Sequence, residues 1–250
     1  MIKEPLFTYN KKLKVLSITY NDSDEYTALD IIYEYVKHIK KAHVCLSGGV
    51  DSQFWIRVCE HFNIPYTAST YLTTWDTAPI NTDDYVCAQL TAEKFNSDWE
   101  TVEIDMQEFY NSDRPITLAK KYKTDSQQIC LHLEYLERIK DLYPNTTFLM
   151  GGEAMYLEDL GDGGDLHSLS ELRIKDLMTY ENFFKQNSID YLKDIVYLDA
   201  KMPSQILKLN IDFVKKHKQH LVKDGTDVNY VMERLPVKSF VWESIIPGTV

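Results

Sequence analysis

The stretch Val44-Cys45-Leu46-Ser47-Gly48-Gly49-Val50-Asp51-Ser52 decides how the rest of the chain reads. An apolar run of strand character enters two adjacent glycines. It leaves through Asp51 and Ser52 into Ser52–Phe62, where Trp55, Val58, Cys59 and Phe62 recur at helical spacing. Glycines admit backbone angles closed to other residues and let a ligand approach the main chain. A helix start leaves N–H groups without intrahelical partners and turns the positive end of its dipole toward the loop. Ser47 and Ser52 add hydroxyl groups. These features make a phosphate cradle out of backbone, which needs no net positive charge. No lysine follows the glycines as GxxxxGK[ST] requires, so an ordinary P-loop NTPase is excluded. A plain turn with Asp51 or Ser52 as helix cap is the competing reading, and it leaves the full string between strand and helix unaccounted for.

Outward from this stretch, strand-like and helix-like patterns alternate. Lys14–Tyr20 has strand character, and Ile32, Tyr35, Val36 and Ile39 form an amphipathic helical stripe. His43–Leu46 is a short buried strand. Pro65–Leu72 reads as a strand and Asn81–Phe95 as a helix with Tyr85, Ala88 and Ala92 on one side. Trp99–Asp105 alternates as a strand, Ser126–Tyr143 is a long helix, and Thr147–Met150 is another short strand. Strands separated by helices imply crossover connections, hence an α/β fold with a parallel sheet sandwiched by helices. Past Gly152 the patterns at Leu169–Lys175, Tyr180–Phe184, Ile189–Tyr197 and Ser204–Leu221 all read as helical. The expected organisation is an α/β domain over 1–152 and a mainly helical section over 153–250 packed on it.

Composition narrows the partners. The 250 residues hold 27 basic and 38 acidic side chains, a formal charge of −11. With 44% hydrophobic and 26% charged residues the chain is neither disordered nor fibrous. No apolar run approaches the ~18 residues that span a bilayer. The N-terminal Met-Ile-Lys-Glu-Pro lacks a secretory core, so a cytoplasmic protein with no membrane partner is expected. Cys45, Cys59, Cys87 and Cys130 are scattered without metal or disulfide spacing and read as reduced thiols. A charge of −11 repels nucleic acid on average, which makes it a possible but disfavoured partner. The exception is Lys201–Lys223, where Lys201, Lys208, Lys215, Lys216, Lys218 and Lys223 face a single acid, Asp212. It reads as the solvated face of an amphipathic helix or, failing that, as an anion-facing patch.

Ser47-Gly48-Gly49-Val50-Asp51-Ser52 resembles the SGGxDS pyrophosphate loop of the PP-loop ATP pyrophosphatase superfamily, whose members include asparagine, NAD and GMP synthetases and tRNA-modifying enzymes. The resemblance extends over about Ala42 to Glu153 and implies a Rossmann-like PP-loop fold. It implies ATP bound by Leu46, Ser47, Gly48, Gly49, Val50, Asp51 and Ser52, with adenine seated at Tyr71 and Leu72. Gly151-Gly152-Glu153 is similar to the second pyrophosphate motif of asparagine synthetase, with Ala154-Met155-Tyr156 in place of its GxD part. Asp199-Ala200-Lys201-Met202 is similar to that family's DxxKM segment, which implies phosphate contact by Lys201. The synthetase domain of asparagine synthetase is therefore the nearest resemblance. It implies cleavage of ATP between the α and β phosphates, AMP transfer to an acceptor oxygen, and displacement of AMP by a nitrogen nucleophile. Residue 2 is Ile2 rather than the cysteine of a glutaminase, so the nucleophile is expected to be ammonia, another amine or something a partner delivers.

In that scheme Asp51, Glu153 and Lys201 are the catalytic candidates, and Asp51 and Glu153 would share Mg²⁺, which typically uses one or two carboxylates plus phosphate oxygens. The partners implied are ATP, a small-molecule acceptor and an amine or ammonia. Glu158–Asp165 reads as a mobile lid or a solvated acidic turn. Gln127 and Gln128, at a helix start, are candidates to face the acceptor. Two alternatives remain at this level. One is a tRNA- or nucleobase-modifying enzyme (thiolation or amination) with Cys130 as sulfur carrier. The other is a non-catalytic ATP-binding module.

Overall fold

Successive residues of a strand face opposite sides of its sheet, and Ala42–Leu46 divides the whole molecule that way. Ala42, Val44 and Leu46 enter one buried cluster, while Cys45 enters a second. A computed structural model describes residues 7–10, 15–18, 26–151, 171–193, 195, 202, 205 and 242–248. A two-stranded antiparallel pair, β1 (Phe7–Asn10) and β2 (Val15–Ile18), comes first. Then follow α1 (Ala28–Val36), β3 (Ala42–Cys45), α2 (Val50–His61), β4 (Tyr66–Trp75), β5 (Ala78–Pro79), α3 (Thr82–Lys94) and β6 (Trp99–Asp105). The chain continues through α4 (Met106–Asn111), α5 (Arg114–Tyr122), α6 (Gln127–Ile139), β7 (Thr147–Met150), α7 (Glu171–Asn187) and β8 (Tyr191–Lys193).

The main sheet is parallel at β3–β4, β3–β7, β4–β6 and β7–β8, with the short β5 antiparallel to the end of β4. From β3 the chain steps outward to β4 and β6, then returns to the other side of β3 as β7. The strand order therefore reverses between β3 and β7, and the carboxyl ends of those two strands frame a crevice, the usual ligand position in open α/β sheets. Residues of α1, α2, α3 and 242–246 fill the cluster on one face. Residues of α4, α5, α6 and α7 fill the other.

Local chemistry sets the helix starts. Thr27 and Asp30 close a capping box on α1, with Thr27 N donating to Asp30 at 2.9 Å. Asp105 caps α4 through Gln107 N and Glu108 N, and Ser126 caps α6 through Ile129 N. From Glu171 on, the pattern at Leu169–Lys175 and that at Tyr180–Phe184 belong to one helix, α7. The helical reading of Ile189–Tyr197 is corrected: Tyr191–Lys193 is a strand pairing with Phe148–Met150. A short apolar run fits either period. Here an unpaired ladder on β7 offers backbone partners that an isolated turn of helix lacks. Glu158–Asp165, Ser204–Leu221 apart from Gln205, and the lysines of 201–223 lie outside the described residues.

The polar side chains that β3 and β4 bury around His43 are paired. His43 is fully buried, with Nδ1 2.9 Å from the Thr67 hydroxyl and Nε2 2.8 Å from the Ser69 hydroxyl. Ser69 in turn meets Tyr135 OH at 2.7 Å. Burial, with Lys41 adding repulsion, holds the His43 imidazole down to about 3, and burial with Lys193 holds His132 down to about 4, both from 6.5. Unfolding releases each ring to take up a proton that the folded chain refuses. The stabilisation is complete above pH 6.5 and is lost as pH falls, through about 4 for His132 and about 3 for His43. The urea midpoint is therefore expected to hold above pH 6.5 and to drop steadily between pH 6.5 and 5. His132→Gln should flatten part of that slope; an unchanged slope would remove His132 from it.

Candidate nucleotide site

The turn after β3 is closed by one fully buried hydroxyl. Ser52 Oγ accepts from Ser47 N and lies 3.2 Å from Ser47 Oγ, and it donates to the Gly49 carbonyl at 2.8 Å. Gly49 is the N-cap of α2, so the N–H groups that follow it precede the first intrahelical bonds, which are Ser52 N and Gln53 N to the Gly49 carbonyl. Leu46 sits below the turn: its N–H donates to the Ser69 carbonyl at 2.8 Å and its own carbonyl accepts from the Thr70 hydroxyl. It belongs to the sheet ladder, whereas Ser47 is exposed at the mouth. Gly48 has φ +79°, a conformation glycine reaches without strain.

Two segments approach this turn closely, the start of α3 and the residue after β7. Asp76 and Thr77 (φ 47° and 66°) form a two-residue turn that folds β4 back into β5. The Asn81 side chain braces the hairpin, accepting from Thr73 N at 2.8 Å and donating to the Tyr71 carbonyl at 3.0 Å. The chain then enters α3, whose first turn lies on Gly48. A Cβ on Gly48 would meet the Asp84 carbonyl well inside contact distance and Cys87 Cβ at 3.0 Å. On the other side Gly151, just past β7, backs onto α2, where a Cβ would lie 3.0 Å from Ser52 N. Trp55 ties the same helix to the same strand, its Nε1 donating to the Met150 carbonyl at 2.8 Å.

Asp51 stands in the first turn of α2, and its Oδ1 accepts from the indole N–H of Trp242 at 3.0 Å. Tyr71 and Leu72 are half-buried near the carboxyl end of β4. Tyr71 OH reaches His132 Nε2 at 3.1 Å, and His132 Nδ1 meets Tyr180 OH at 2.5 Å. Lys193, at the end of β8, holds its ammonium 4.0 Å from the centroid of the Tyr180 ring. This row of Tyr71, His132, Tyr180 and Lys193 runs beside the crevice on the α6–α7 face. Pattern reading misses it because its four members come from four separate elements. Gln127 and Gln128 are exposed at the start of α6.

Glu153, Gly152 and Lys201 lie outside the described residues, although Met202 beside Lys201 is fully buried. Among the described residues no group of three or more His, Cys, Asp or Glu side chains converges as a metal site, and no helix is long and apolar enough to cross a membrane. Cys130 is buried against α5, with Sγ 3.6 Å from the Pro115 carbonyl, and burial raises its thiol. Cys45 is pushed up to about 12 for the same reason, and Cys59 is raised as well. Those three are packing thiols. Cys87 alone of the four is exposed, and it is the one beside Gly48.

No protein-family model matches the chain, and no curated protein matches it. Among solved structures it is similar to a predicted subunit of a tRNA methyltransferase from Methanocaldococcus jannaschii, at 14% identity and TM-score 0.36 over 79% of this chain and 94% of that one. It is similar to the NH3-dependent NAD synthetase of Campylobacter jejuni at 18% identity and TM-score 0.34, over 86% and 93% of the two chains. A U34-tRNA thiolase from Methanococcus maripaludis aligns at 16% identity and TM-score 0.40, over 89% of this chain and 74% of that one.

Proposed function

We propose that the chain is an ATP-dependent, AMP-forming enzyme of the PP-loop type that activates an acceptor oxygen for attack by a nitrogen nucleophile, nearest in kind to an amide synthetase. One observation carries the reading: the SGGxDS turn lies at the reversal point of a parallel sheet, with Gly48 at φ +79° and the start of α2 behind it. The phosphates would lie over Gly48–Asp51, held by backbone N–H groups and the helix terminus. This explains how a chain of formal charge −11 would hold a polyanion. Adenine would rest near Tyr71 and Leu72. The acceptor oxygen would attack the α-phosphorus and pyrophosphate would leave, after which the amine would displace AMP.

The protein's own part is positioning and charge stabilisation. Asp51 suits a magnesium ion held mainly by phosphate oxygens, and Glu153 would share it. That ion would neutralise charge on the leaving pyrophosphate, and Lys201 would approach the same group. The row from Tyr71 to Lys193 would put hydroxyls, a neutral imidazole and a cation next to the nucleotide.

The test is a screen for AMP and pyrophosphate release across carboxylate and nucleobase acceptors with ammonia or amines. The expected result is AMP, not ADP, with loss of at least tenfold in Asp51→Asn. ADP as product, or intact turnover in Asp51→Asn, would overturn the reading. A sulfur-transferring reading has one observation in its favour, the exposed Cys87 beside Gly48. It requires that Cys87→Ser, and not Cys130→Ser, abolish turnover, and that purified protein retain RNA.

A further inference from the structure

We propose that Trp242 is a positioning residue for Asp51, through which segment 242–248 fixes the metal-facing carboxylate of the nucleotide loop; the proposal rests on the ATP reading above. Trp242 is 2% exposed, and its indole does two things at once. Its face stacks on Phe54, with ring centroids 4.7 Å apart and planes 13° from parallel. Its N–H donates to Asp51 Oδ1 at 3.0 Å. Asp51 and Phe54 are three residues apart on α2 and so share a helix face, which is why one flat side chain reaches both.

Arg57 extends the same face by another three residues and donates to the Pro247 carbonyl. Its guanidinium lies 5.3 Å from the centroid of Phe95, at the end of α3. Ile245 and Ile246 are buried in the same cluster as Phe54, and Ile246 N donates to the Trp242 carbonyl at 2.9 Å. The segment therefore follows α2 from its first turn to its second, anchored at 51, 54 and 57. A first-turn carboxylate has several rotamers open to it. The indole, a donor only, selects the one that presents Oδ1 to it and takes one of the roughly four lone-pair sites of the group.

The test compares wild type with Trp242→Phe, which keeps the stack on Phe54 and deletes the N–H. ATP affinity is measured by calorimetry at stepped Mg²⁺ concentrations, alongside ¹⁹F NMR of the full chain carrying 5-fluorotryptophan. The variant is expected to need about tenfold more Mg²⁺ for half-maximal ATP binding, with metal-free ATP binding unchanged. In wild type, Mg²⁺ with ATP is expected to move the Trp242 resonance and not that of Trp99, at the amino end of β6. Asp51→Asn keeps an acceptor in place and shifts the Trp242 resonance, which assigns it should Trp242→Phe fail to fold. A wild type that binds Mg²⁺ and ATP without moving that resonance, or a variant with unchanged magnesium requirement, overturns the inference alone. A wild type that binds no ATP overturns the loop reading and the inference together.

Discussion

Gly48→Ala is expected to abolish measurable ATP binding, a loss of at least a hundredfold, and to lower the thermal midpoint by several degrees. Two independent costs fall on this one methyl group. At φ +79° an L side chain carries about 1–2 kcal/mol of backbone strain. The new Cβ also meets the Asp84 carbonyl inside contact distance, and Cys87 Cβ and the Asp84 carbonyl carbon at 3.0 Å. The obstacle is mostly backbone in the first turn of α3, so no rotamer change relieves it; the helix start has to lift from the loop. Gly49→Ala is the internal control. Gly49 has φ −78°, and its Cβ would meet only Ser47 Oγ at 3.6 Å. It should fold within about 1 kcal/mol of wild type, the usual cost of alanine at an N-cap. Thermal unfolding and ATP titration of the two variants side by side decide the matter. Equal midpoints for both would mean that α3 does not press on Gly48.

The contrast between the glycines also marks how far pattern reading reaches. Val44–Ser52 is legible because strand, turn and helix start are each local: apolar residues, two glycines, then the polar Asp51-Ser52 pair in the first turn of the helix. Trp99–Asp105 and Thr147–Met150 are legible for the same reason, and the structure places strands at those residues. What presses on the loop is not local. Asp84 meets Gly48 through a main-chain oxygen, which has no residue signature at all. The hairpin turn Asp76-Thr77 lacks glycine and puts a β-branched residue at positive φ, so turn chemistry does not announce it. α4 and α5 leave little trace in the sequence, because Met106–Tyr122 carries no long apolar stripe, only Phe109, Leu118 and Tyr122 buried. The partners of α2 are farther still: Met150 lies 95 residues from Trp55, and Trp242 lies 191 residues from Asp51.

Those distant partners set the second large effect. Trp55 is fully buried on α2, and its indole N–H is the link between that helix and the last carbonyl of β7. Trp55→Ala is expected to cost about 3–5 kcal/mol, the usual range for deleting a large buried aromatic side chain. That is a large share of the roughly 5–15 kcal/mol of a typical domain. Trp55→Phe retains most of the apolar volume but strands the Met150 carbonyl, at about 1–3 kcal/mol for a buried acceptor left unpaired. The second variant separates packing from positioning. Met150 precedes Gly151, and Gly151 abuts Ser52, the hydroxyl that closes the loop. Releasing the carbonyl therefore loosens the wall of the crevice on the β7 side without touching any residue of the loop. Trp55→Phe should weaken ATP binding severalfold beyond what its lowered stability explains, measured at a temperature well below its midpoint. Urea unfolding together with ATP titration checks both halves. A variant that loses stability yet binds ATP as wild type would show that the loop is held by Ser52 alone, and that the β7 wall contributes packing but no geometry to the site.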